Sequence, residues 1–120
     1  MIRGIRGATT VENDKEEEIL LKTKELLGEM VKENSIHLDD IASIFISATP
    51  DLKEVFPAKA LRKMEGWTYV PVVCMQELDI QGAIKKCIRV MMHVNTSQKP
   101  EAIIHVYQER AVSLRPDLKK

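Results

Sequence analysis

Arg6, Arg89, Glu77, Tyr107 and Cys74 are the side chains of this sequence best placed for chemistry, because each lies in or beside an apolar, strand-like run. In residues 86–94, Ile88, Val90, Met92 and Val94 fall on one parity of a period-two pattern, and Cys87, Arg89, Met91 and His93 fall on the other. A guanidinium stays charged and is rarely buried without a partner. Arg89 must therefore meet solvent, an internal carboxylate or an anionic ligand. Arginines on a sheet that also offers a carboxylate, a phenol and a thiol suit a pocket for a small polyanion bearing a hydroxyl, since arginine recognises carboxylates through two parallel hydrogen bonds. Each residue also has an ordinary structural explanation. Arg89 fits the wet face of a half-buried strand, Arg6 and Glu77 fit a plain ion pair, Tyr107 fits a packed phenol and Cys74 a small core residue.

Other chemistries find little support. His37, His93 and His105 are far apart and show no ligand spacing, so no metal site is expected. Gly4 and Gly7 lie inside a strand-like segment rather than ahead of a helix, which argues against a phosphate-binding loop, and no cofactor motif is present. No flanking motif supports a Cys/His nucleophile pair. Eighteen basic residues balance eighteen acidic ones, so no long-range attraction draws in a nucleic acid, and aromatic residues at 4% offer few base-stacking platforms. The two cysteines, far from CxxC spacing, read as free thiols in a reducing compartment. The basic N-terminal residues have no apolar stretch behind them, and no apolar run approaches the ~18 residues of a membrane span. A cytoplasmic location is expected.

The elements that must position these groups are readable in outline. At 120 residues one domain is expected, occupying 1–120 with an exposed tail over 114–120. Residues 2–10 read as a strand, in which glycines mark the close approach of another backbone or a ligand. Asn13 or Asp14 then opens a helix of about 20 residues, with Glu17 placed as in a capping box and Glu16, Glu17 and Glu18 at the positive end of the helix dipole. Ile19, Thr23, Leu26, Leu27, Met30 and Val31 form its apolar stripe. A buried strand is expected over 41–48 and a short helix from Pro57 to Met64, stopped by Gly66. Further strands are expected over 67–73, 87–94 and 102–114, with loop or helical turn over 74–85. This is an α+β layout, a five-stranded mixed sheet packed by one long and one short helix. Two helices cannot cover such a sheet well, so its remaining apolar surface is expected to meet another subunit.

Several strings carry a resemblance. Residues 3–10 (RGIRGATT), 47–52 (SATPDL), 55–60 (VFPAKA), 74–77 (CMQE), 87–92 (CIRVMM), 105–107 (HVY) and 114–118 (LRPDL) are similar, in that order, to the AroH class of monofunctional chorismate mutases. The resemblance covers essentially the whole chain. It implies conversion of chorismate to prephenate in aromatic amino-acid biosynthesis, without a cofactor. It also implies a homotrimer whose sheets form a pseudo-α/β barrel, with an active site at each subunit interface. By matching motifs it implies that Arg89 faces the substrate's ether oxygen, that Arg6 and Tyr107 contact carboxylates, and that Glu77 accepts from the ring hydroxyl with Cys74 beside it. Phe56, Lys59 and Arg62 would form a wall supplied by the neighbouring subunit, with Val73 and Met75 flanking Cys74, and Leu114 and Arg115 would belong to a C-terminal segment closing over the site. Val73 stands where similar proteins have a threonine. A non-catalytic trimeric dicarboxylate sensor and a YjgF-type deaminase remain as alternatives.

Overall fold

The alternation of residues 87–95 becomes the middle of a sheet. The protein is described by a computed structural model over residues 1–114. Its strands are β1 (Ile2–Thr10), β2 (Ile41–Ala48), β3 (Val72–Gln76), β4 (Cys87–Asn95) and β5 (Val106–Tyr107), and its long helix is α1 (Glu16–Glu33). The strand order is β3-β2-β4-β1-β5. The central strand β4 runs antiparallel to both β1 and β2, while the edge strands β3 and β5 run parallel to their neighbours, so the sheet is mixed.

Register decides which side chains share a face. Ile5, Met92 and Ile44 stand in line across β1, β4 and β2, and all three are fully buried. In the next row that points the same way, Gly7, Val90 and Ile46 also stand in line, and all three are buried. Helix α1 lies over this face with Ile19, Leu26, Leu27 and Met30 buried against it. Burying each such side chain stabilises the fold by about 1.5–3 kcal/mol relative to exposure. Gly7 sets the distance of approach. A Cβ there would lie 2.5 Å from the Met30 sulfur and 3.2 Å from Leu26 Cδ1. The glycine therefore admits the helix rather than a ligand. A 3-10 turn at Pro57–Lys63 covers the β2–β3 end of the same face through Ala60 and Leu61.

The structure corrects four local expectations. The capping box does not form. Lys15 occupies the N-cap position without a side-chain bond, and the Asp14 carboxylate instead accepts from the amides of Lys53 and Glu54 at 3.1–3.2 Å. Tertiary amides outcompete the local cap. The third strand is shifted along the chain, because 67–70 fold into successive turns after Gly66 (φ 89°) and pairing with β2 starts only beyond Pro71. That shift puts Cys74, Met75 and Gln76 in β3 rather than in a loop. The last strand is two residues long instead of thirteen. Asn34 takes both the amide and the carbonyl of Ile104, and His105 Nδ1 accepts from the Arg6 amide at 2.9 Å. Side chains thus occupy backbone groups that a longer ladder would use, and Glu109–Leu114 closes as 3-10 turns. Leu114 ends that turn; Arg115 and the rest of the expected tail lie outside the described residues. Among the described residues no helix is long and apolar enough to cross a membrane.

The packing at Gly7 is testable. Gly7→Ala forces Met30 to move within a filled core and should lower stability by about 1–3 kcal/mol, as overpacking does. A reduced midpoint in thermal unfolding followed by circular dichroism would register it, whereas an unchanged midpoint would show that the core has slack at this point.

Candidate active site

Opposite the helix, the sheet presents a different set of side chains. Arg6, Ala8, Phe45, Ser47, Arg89, Met91 and Tyr107 line a cleft of about 280 Å³ on this open face. Register explains the grouping. Arg89 stands between Ala8 on β1 and Ser47 on β2, and Tyr107 pairs with Ala8 from the far side. The small Ala8 leaves room between the guanidinium and the phenol. Arg6 lies two residues along β1, on the same parity, opposite Met91.

Of the three partners open to Arg89 (solvent, a carboxylate or an anionic ligand) a carboxylate is present. Arg89 Nε lies 3.5 Å from Glu77 Oε2, and the Ser47 hydroxyl donates to the same oxygen. The alternative pairing of Glu77 with Arg6 does not occur, because β2 and β4 stand between β3, which Glu77 leaves, and β1, which carries Arg6. Its own amide donates to Ala48 O at 2.9 Å, which fixes its backbone to the end of β2. The guanidinium is 44% exposed and the carboxylate 26%, so the pair fronts the cleft instead of being sealed in the core. It can present a cationic donor and an anionic acceptor side by side. Ser47 was missed in the sequence. Its parity in β2, the same as Phe45, would have placed it on the face of Arg89 once the register was known.

Cys74 is not beside Glu77. It pairs with Ile46, whose side chain is in the core, and so it points to the helix-covered face. There it lines a cavity of about 560 Å³ together with Phe56, Lys59 and Arg62. Strand β3 thus divides the expected site. Val73 and Met75 turn to the open side, Cys74 to the other, and only Met75 borders both an open-face cleft and the Phe56–Lys59–Arg62 region. Burial pushes both thiols, Cys74 and Cys87, above the usual range; for Cys87 the nearby Arg89 partly opposes this. They are protonated at neutral pH, which suits hydrogen bonding rather than nucleophilic attack. Two of the three histidines are occupied structurally: His93 contacts Ser43 and packs edge-on to Phe45 at 5.2 Å, and His105 holds the Arg6 amide. Among the described residues no three His, Cys, Asp or Glu groups could hold a metal ion.

A mixed sheet with helices on one face, and on the other an arginine–carboxylate pair flanked by a second arginine and a phenol, defines a binder of small anions that works through fixed charges. Comparison with known proteins makes this specific. The family described as chorismate mutase type I matches residues 2–118. Chorismate mutase AroH of Bacillus subtilis (strain 168) is 61% identical over 118 residues, 98% of this chain and 93% of that protein. Chorismate mutase AroH of Thermus thermophilus is 41% identical over 119 residues, 98% and 97% of the two chains. The solved structure of a chorismate mutase from Clostridium thermocellum superposes with a TM-score of 0.90 at 48% identity, covering 92% of this chain and 98% of that one. The chain belongs to the type I chorismate mutase family. It is an isomerase that rearranges chorismate to prephenate. Neither a sensor nor a deaminase appears among these relatives.

Ser47 supplies the prediction here. Ser47→Ala removes a donor to the Glu77 carboxylate, and a hydrogen bond to a charged group is worth about 1.5–3 kcal/mol. With Glu77 partly exposed, the lower value applies, and kcat/KM should fall about tenfold. The rate of chorismate absorbance loss measures it, and a parental value would show that Arg89 alone orients Glu77.

Proposed function

We propose that the enzyme works as a homotrimer in which each active site joins the open-face cluster of one subunit to the Phe56–Lys59–Arg62–Cys74 cluster of the next. The observation that carries this reading is that one chain keeps the two clusters on opposite faces of its sheet. A cleft of about 280 Å³ is also small for a complete ligand site. Phe45, Val73 and Met75, between 45% and 55% exposed, add an apolar surface that no helix covers. Three such faces turned inward would make a pseudo-α/β barrel and remove that surface from water. Leu114 would close the site from the C-terminal side. Val73 carries no hydroxyl, so that position can add only main-chain polar groups. A cytoplasmic location fits an enzyme of aromatic amino-acid biosynthesis.

The chemistry asks little of such a site beyond shape and charge. In a concerted [3,3] rearrangement one C–O bond breaks as one C–C bond forms within the same molecule, with no proton transfer and no covalent intermediate. Arg6 and Tyr107 bind substrate carboxylates and hold the compact chair conformer. As the ether bond lengthens, negative charge grows on its oxygen and positive charge on the ring. Arg89 stabilises the first at little reorganisation cost. Glu77, accepting from the ring hydroxyl, interacts with the second. Cys74 and the wall residues of the neighbour exclude water and complete the fit.

Three measurements test this. Arg89→Gln removes a charge needed mainly in the transition state, so kcat should fall by roughly 10²–10³ with a smaller change in KM. A kcat near the parent value would end the assignment. In light scattering the protein should have three times the 13.7 kDa chain mass. Mixing inactive Arg89→Gln and Arg62→Ala subunits should then restore activity through sites that draw both intact residues from different chains. Absence of recovery after verified exchange would refute the shared site.

A further inference from the structure

Residues 77–86, between β3 and β4, are irregular, yet Glu77 at their start and Arg89 just beyond their end meet at 3.5 Å. Something must fix that spacing. Both ends of the segment are fastened to one short stretch, the exit of β2. At the first end the Glu77 amide donates to Ala48 O at 2.9 Å. At the second end the Asp51 carboxylate accepts from the Lys86 amide with both oxygens, at 3.1 and 3.0 Å. Between them, the buried Thr49 hydroxyl donates to Asp51 Oδ1 at 2.6 Å and accepts from the Cys87 amide at 3.0 Å. The Thr49 amide, in turn, donates to Cys87 O at 3.0 Å.

Lys86 makes the need for this network visible. Its φ of 51° lies in the left-handed region that side chains other than glycine, asparagine and aspartate seldom adopt. The bend turns the chain into β4 and sets the parity on which Arg89, three residues on, reaches the open face. The Asp51 carboxylate holds the amide of that strained residue, and Val11 holds its carbonyl with a 3.0 Å bond. Because the Thr49 hydroxyl lies 2.6 Å from Asp51 Oδ1 but 3.5 Å from its other acceptor, Cys87 O, its proton goes to Asp51 and a lone pair of the same oxygen is left aimed at the Cys87 amide. The two side chains act as one relay.

We propose that Thr49 and Asp51 are positioning residues for the rearrangement: their hydrogen-bonded pair sets the spacing and orientation of Glu77 and Arg89 without touching substrate. The proposal rests on the reading above that Arg89 and Glu77 face the charges that develop in the transition state. Catalysis by preformed charges is sensitive to placement, and a displacement of about 1 Å can change a rate by about 10²-fold. A turn that served only to stabilise the fold would instead affect melting and leave kcat alone.

The test compares Thr49→Val, which keeps the shape and loses the hydroxyl, with Thr49→Ser, which keeps the hydroxyl, and with Asp51→Asn. Each is measured for kcat and KM well below its own melting temperature. Thr49→Val and Asp51→Asn should lower kcat by about tenfold or more while KM changes less than about threefold, and Thr49→Ser should stay within about threefold of the parent in both. A folded Thr49→Val with parental kcat, or a Thr49→Ser as impaired as Thr49→Val, overturns the proposal. If Thr49→Val does not fold, Asp51→Asn, which retains one acceptor oxygen, decides by the same two outcomes. Arg89→Gln run alongside separates the failures. If it keeps parental kcat, the reading of Arg89 falls and takes the relay with it. If it is impaired while Thr49→Val and Asp51→Asn are normal, only the relay falls.

Discussion

The two-residue repeat of β4 is the constraint on which the rest of the structure depends. Because successive side chains of a strand point to opposite sides, one nine-residue stretch serves two masters. Ile88, Val90, Met92 and Val94 anchor the core beneath α1, and Arg89 stands among them without entering it. A slip of one residue would bury the guanidinium and expose four apolar side chains. Hydrophobic burial thus enforces the orientation of the functional charge. Stability and placement are, at this strand, the same requirement.

Around that strand the polar groups are held by neighbours whose own positions are fixed by backbone bonding. Ser47 and Ala48 steer Glu77 from β2, His105 grips the Arg6 amide from ahead of β5, and Ala8 clears space beside Tyr107. Ser47 and Ala48 act through a hydroxyl and a backbone carbonyl, which carry no charge. The two thiols, raised above their ordinary range by burial, are neutral as well. A unimolecular rearrangement asks for placed charges rather than for a transferred proton.

The parts of this fold legible in the sequence were those governed by local periodicity. The bounds of β1 and β2 and the stripe of α1 follow from the spacing of apolar residues alone. The parity argument also left Arg89 with solvent, a carboxylate or an anionic ligand to meet, and Glu77 is a carboxylate that it meets. What periodicity could not reveal was competition over distance. Asp14 looks like a helix cap but serves amides at 53 and 54. The apolar run near 103–107 looks like a long strand, but Asn34 and His105 take its backbone partners. The matching motifs set Cys74 beside Glu77, but the two are three steps apart at the end of β3, and an odd number of steps reverses the face. Ser47 was silent for the complementary reason, since a serine in an apolar run says nothing until its cross-strand partner is known.

Asn34 carries a liability of a chemical rather than a mechanical kind. Its buried side-chain amide nitrogen donates to the carbonyls of Met30 and Ile104, and its oxygen accepts from the Ile104 amide, so one side chain rivets the end of α1 to the lead-in of β5. Spontaneous hydrolysis of that amide to a carboxylate would set an oxygen against two carbonyl oxygens where a donor now sits. A single lost ammonia would unfasten the helix end and loosen the strand that carries Tyr107. The nucleophile in such ageing is the amide of the following residue, and here the Ser35 nitrogen is engaged with Lys32 O. The fold therefore shelters, by one backbone bond, the residue whose decay it could least absorb.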